Sequence, residues 1–148
     1  METFIVSLVG ALAAGAVAAA KESASQAIKD AYRGIRKYLA DRYTTVPMVE
    51  LEKDPQSKGR QLVVQETFQK EQARIETDEA LPKLAATLVD SLKAEAPEAA
   101  KEAGVILEDI RAGIDVQIRR LATGTIVRNI ETRTGSVVIE DIGNQPKK

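Results

Sequence analysis

The stretch FIVSLVGALAAGAVAAA, residues 4–20, runs for seventeen residues without a charge, and Ser7 is its one polar side chain. It holds seven large apolar residues (Phe4, Ile5, Val6, Leu8, Val9, Leu12 and Val17), seven alanines and two glycines. The large residues keep to no single face of a helix, so such a helix must bury its whole circumference in protein or in lipid. A secretory signal would want basic residues ahead of it, but only Met1, Glu2 and Thr3 come first. A constitutive span wants about 20 apolar residues, and this run is shorter and rich in Ala and Gly. A core helix fits its length. Small residues four apart (Gly10 and Ala14, Ala11 and Gly15) permit close helix packing in either solvent.

The rest of the chain limits the chemistry. There are 148 residues, with 21 basic against 22 acidic side chains, which suits one domain, or one domain with an appendage. No His or Cys is present, so no disulfide, thiol nucleophile, imidazole base or Cys/His zinc site can form. A net charge of −1 and five aromatic residues argue against a nucleic-acid surface. Gly10 to Gly15 has the spacing of a phosphate loop but lacks the lysine that should follow. Glu108-Asp109 and Glu140-Asp141 are adjacent pairs, not converging acid and base. The expectation is a protein that is not an enzyme and needs no cofactor or metal.

Helical patterns continue beyond Ala20. Ala27, Ile28, Ala31, Tyr32, Ile35, Tyr38 and Leu39 follow helical spacing, with Lys29, Arg33, Arg36 and Lys37 on the other face. Residues 21–43 carry six basic and three acidic side chains, a local +3. That is either a solvated face or a surface for anionic lipid headgroups. Residues 44–57, with Pro47 and Pro55, read as a loop holding at most one helical turn. Ser57 caps a helix to about Ile75 with Leu62, Val64, Phe68 and Ile75 as apolar contacts, and Thr77 or Asp78 caps the next. Its stripe is Leu81, Leu84, Ala85, Leu88 and Leu92, and Ala96-Pro97 ends it.

The last forty-five residues suggest another rule. Gly104, Gly113, Gly124 and Gly135 stand 9, 11 and 11 residues apart, each opening a run rich in β-branched residues. The runs are 105–110, 114–118, 125–130 and 137–142, and the first and last are nearly identical. Glycine supplies the turn and β-branched residues the pleated surface, as in stacked β-arches. A meander packed on the bundle, or a helix over 98–111, are the competing readings. The expected fold is therefore mainly α: a helical bundle over 1–97, a β-repeat, solenoid-like tail over 98–143, and a disordered end at 144–148. Gly113, Gly124, Ile126, Ile130, Gly135, Val137, Ile139 and Ile142 are the candidate self-assembly residues, because open strand edges invite a second copy.

Residues 18–39, AAAKESASQAIKDAYRGIRKYL, behind an Ala/Gly-rich apolar segment, resemble the start of bacterial Bell domains. The repeats at 113–142 are similar to the tails of relatives of that group. Bell domains are counterparts of the fungal HeLo domain and of the four-helix domain of mixed-lineage kinase-domain-like protein. The resemblance implies a cell-death effector of bacterial defence, cytoplasmic at rest and moving to the inner membrane on activation. Its partners would be other copies of itself, anionic membrane lipids, and a nucleotide-binding-oligomerisation-type receptor that templates an amyloid-type tail. Phe4, Ile5, Val6, Leu8, Val9, Leu12 and Val17 would then insert into the membrane, and Lys29, Arg33, Arg36 and Lys37 would meet headgroups. The alternatives are a non-lytic oligomeric scaffold whose apolar helix is core, and a constitutively anchored protein with basic residues following the span.

Overall fold

In the computed structural model, which describes the backbone of residues 1–134 and the side chains of 1–123, the apolar stretch forms helix α1 (Glu2–Ala19). Seven more helices follow: α2 (Gln26–Arg42), α3 (Met48–Lys53), α4 (Lys58–Lys70), α5 (Gln72–Ile75), α6 (Ala80–Glu95), α7 (Pro97–Ala103) and α8 (Leu107–Thr134). No strand occurs among the described residues. Two units can be distinguished, 1–118 and 119 onward, with α8 beginning in the first and ending in the second.

Because α1 is apolar all round, it becomes the axis of the first unit. Helices α2, α3, α4, α6 and α7 all pack against it, and α2 also packs on α6. The stripes that face it are those of the sequence: Ile28, Ile35 and Leu39 from α2, Val64 and Phe68 from α4, and Leu81, Ala85, Leu88 and Leu92 from α6 are all buried. Leu62 departs from expectation and is half exposed on α4. The Ser57 cap holds as read, and Ser25 supplies one that the sequence reading did not name. The Ser25 and Ser57 hydroxyls accept from the backbone N–H of Ile28 and Arg60, starting α2 and α4. Asp78 accepts from Ala80 and Leu81 N–H at the head of α6, where Pro82 sits in the first turn.

The β-repeat reading is corrected over 98–118. Residues 97–103 are helical, and the runs 105–110 and 114–118 belong almost wholly to α8. The reason is a period that the glycine spacing masked. Leu107, Ile110, Ile114 and Gln117 recur at helical steps and are buried, so this face is worth more packed on the bundle than laid out as pleats. Gly104 does take the left-handed conformation, at φ 75°, but it ends α7 rather than opening a strand. Its N–H bonds to Lys101 O and that of Val105 to Ala100 O, the paired closure of a Schellman turn. Lys58 Nζ reaches the carbonyls of Ala103 and Gly104 at 3.2 Å and ties that end to α4.

Gly113 is helical too. A β-carbon there would collide with the Ser7 hydroxyl and stand 2.9 Å from Ser7 Cβ, so the glycine lets α8 lie directly on α1. Beyond residue 97, α7 and the start of α8 complete the core around α1. The backbone at Gly124, Ile126 and Ile130 belongs to α8. Gly135, Val137, Ile139 and Ile142, and the end at 144–148, lie outside the described residues.

Candidate functional site

Six of the seven residues expected to enter a membrane are in the protein core. Phe4, Ile5, Leu8, Val9, Leu12 and Val17 are each less than a tenth exposed, whereas Val6 is 47% exposed. The glycines in this helix set its close contacts. Ile110 and Val105 lie over Gly10, and Leu88 and Tyr32 lie over Gly15. At ~1.5 Å per residue the helix is about 27 Å long, close to the ~30 Å of a bilayer interior. Among the described residues α1 is the helix long and apolar enough to cross a membrane, and three-quarters of it is buried in protein.

The basic residues divide. Lys29, Arg33 and Arg36 line one cavity of about 410 Å³, whose wall includes Ala16, Ala19 and Ala20 at the end of α1. Across it stands Glu52 of α3, which accepts from Arg36 Nε at 2.9 Å and from the Tyr32 hydroxyl at 2.5 Å. Burial pushes the Tyr32 phenol well above its ordinary value, and the Glu52 carboxylate adds to the shift. Arg33 pairs with Asp30 within α2, and Lys37, outside that cavity, pairs with Asp41. These two are exposed helical pairs, each worth about 0.3–0.5 kcal/mol. Lys29 has no ion-pair partner among the described residues.

A second polar cluster escaped the sequence reading. Asp78, besides capping α6, accepts from the Tyr38 hydroxyl at 2.8 Å and the Tyr43 hydroxyl at 2.6 Å. Arg42 lies over the Tyr38 ring and Arg74 over the Tyr43 ring. Desolvation and the Asp78 carboxylate push the Tyr38 phenol up to about 12, and Tyr43 rises for the same causes. The partners are 35 and 40 residues apart, so the capping role of Asp78 was the one local signal. The arrangement clamps the end of α2 to the start of α6. Among the described residues no three carboxylates gather where a metal ion could sit.

The self-assembly candidates fall in three groups. Gly113 is buried under α1, Gly124, Ile126 and Ile130 are placed in the second unit by backbone alone, and the other four fall outside the described residues.

No curated protein and no solved structure matches the chain. The family model of the Het-E N-terminal domain does, over residues 1–144, which spans every helix described above. The chain belongs to the Het-E N-terminal domain family, a helical domain of the cell-death and signalling-effector type.

Proposed function

We propose that this domain is a non-enzymatic, membrane-targeting cell-death effector of the Bell type, with α1 as the acting segment and the bundle as its sheath at rest. One observation carries the reading. A seventeen-residue run with no charge and no polar face is kept from water on nearly all sides by helices with ordinary exposed polar faces. A core helix needs only one apolar stripe, whereas a segment apolar all round suits protein interior and lipid alike. Activation then means a change of solvent for α1, with self-association, anionic lipid and a receptor of the nucleotide-binding-oligomerisation type as partners. The move from cytoplasm to inner membrane belongs to the same proposal.

The burial of six of the seven large residues equally favours a second reading, a non-lytic scaffold in which α1 is structural. A reversible lock separates the two. The chain has no cysteine, and the Ser7 and Gly113 β-carbons would stand 2.9 Å apart, somewhat under the ~3.5–4.5 Å that a disulfide spans. In the double variant Ser7→Cys with Gly113→Cys, a bridge closes α8 onto α1 with a small parting of the helices. Dye release from anionic vesicles should be silent with the bridge closed and restored by reductant. Equal release from the bridged and reduced proteins would overturn the insertion of α1. No release from wild type or reduced variant would favour the scaffold.

A further inference from the structure

Around the cavity at the end of α1, three cations face one carboxylate. Lys29, Arg33 and Arg36 line it together, and Glu52 is the acidic group among its lining residues. The last carbonyls of α1 add about half a negative charge, so the lining's own balance stays near +1.5, with Asp30 beside Arg33 as a second, exposed carboxylate outside the lining. Arg36 shows how such a site is used. Its Nε and one terminal nitrogen point at the two oxygens of Glu52, at 2.9 and 3.4 Å, the forked geometry by which arginine also takes phosphate. Lys29 contributes an ammonium without an ion-pair partner among the described residues, and Arg33 is held only by an exposed pair with Asp30 that a dianion can outcompete. The alanines on the other wall bring no donors and no bulk.

We propose that this cavity binds a phosphate monoester, with Glu52 as an internal carboxylate that holds the Arg36 fork until the phosphate takes its place. The ligand class follows from charge: a dianion matches the surplus that Glu52 leaves, and a single carboxylate is already present. Occupancy has a structural consequence. Glu52 is the acceptor of the Tyr32 hydroxyl, and the Tyr32 ring lies on Gly15 of α1, 2.9 Å from where a β-carbon would stand. Displacing Glu52 therefore loosens the α2–α3 clamp that presses this ring onto α1. The site rests on the membrane-effector reading only where the phosphate is a lipid headgroup.

The test is a titration of the full chain with inorganic phosphate at constant ionic strength, followed by NMR at the Lys29, Arg36 and Tyr32 side chains. Glu52→Gln should bind phosphate about five-fold or more tighter, since a competing charge is gone. The paired change Lys29→Gln with Arg33→Gln, both near solvent, should bind at least about ten-fold more weakly while the far-ultraviolet spectrum stays helical. Absence of saturable shifts in the wild type, or equal binding by wild type and the Lys29/Arg33 variant, overturns the site. The second variant decides even where Glu52→Gln proves unstable. Vesicles of phosphatidic acid and of phosphatidylglycerol, matched in surface charge, then distinguish the source. Preference for phosphatidic acid that the Lys29/Arg33 change abolishes supports a headgroup, and phosphate binding with no lipid preference supports a soluble phosphate ester. The disulfide lock does not touch this cavity, so failure of either experiment leaves the other standing.

Discussion

Gly15 of α1 and Leu88 of α6 approach so closely that a β-carbon on the glycine would stand 2.8 Å from Leu88 Cδ2. Tyr32 Cδ1 crowds the same point at 2.9 Å, and Leu88 is fully buried, so neither neighbour can simply turn away. Gly15→Ala should therefore destabilise the bundle. Overpacking costs about 1–3 kcal/mol, against the ~1 kcal/mol that alanine normally gains in a helix. Gly34→Ala should do the reverse, because nothing lies within 4 Å of its missing side chain, and gain about 0.5–1 kcal/mol. Urea denaturation of the two variants checks the signs, and a shared sign would contradict the close approach.

The buried and exposed positions of α1 should answer differently to charge. Leu12 is wholly buried, so Leu12→Asp places an unpaired carboxylate in the core and should unfold the protein. Val6 is 47% exposed, and Val6→Asp should keep the fold within about 0.5 kcal/mol. If α1 enters a bilayer, Val6→Asp should still reduce vesicle leakage, since a charge at mid-bilayer costs about 2.5–3.5 kcal/mol and less toward its edge. Circular dichroism and dye release on the same sample give both answers.

Asp78 should be the most costly single carboxylate to lose. Asp78→Ala removes the acceptor for two tyrosine hydroxyls and for two N–H groups at the head of α6. Tyr43 is 2% exposed, so its hydroxyl loses its acceptor where little solvent reaches, and the expected loss is about 2–4 kcal/mol. Asp78→Asn keeps an acceptor and should lose less. Thermal denaturation ranks the three proteins.

Alkaline pH should expose the Tyr38 link. In the unfolded chain a tyrosine titrates near 10, but in the folded protein Tyr38 holds its proton up to about 12. Its contribution is therefore whole below pH 10 and is lost as the pH rises from 10 to 12. Wild type should be more stable than Tyr38→Phe at pH 8, with the gap closing toward pH 12. A gap that stayed constant would mean that the hydroxyl contributes nothing through Asp78.

What could be read in the sequence was what repeats at helical period with strong contrast. The Leu81–Leu92 stripe, the Ser57 cap and the all-apolar α1 each state their environment within a dozen residues. The start of α8 misled because β-branched residues and spaced glycines are the vocabulary of strands. Its buried set, Leu107, Ile110, Ile114 and Gln117, includes a polar residue whose amide finds the Ile75 carbonyl, a partner that no local pattern announces. The cavity at Lys29, Arg33 and Arg36 was half legible: the basic face was visible, but Glu52 enters from α3 by a tertiary contact. The Asp78 cluster depends wholly on such contacts.

The central place of α1 also fixes how quickly anything can happen to it. Exposing Phe4, Ile5, Leu8, Val9, Leu12 and Val17 to water would cost about 1.5–3 kcal/mol for each side chain, a sum comparable with the ~5–15 kcal/mol that holds a domain together. If α1 acts as proposed and leaves through water, its release shares the barrier of global unfolding, and the delay before vesicle leakage should shorten about three- to six-fold for each 10 °C of warming. On that proposal the packing of the core, rather than any loop, sets the pace of action.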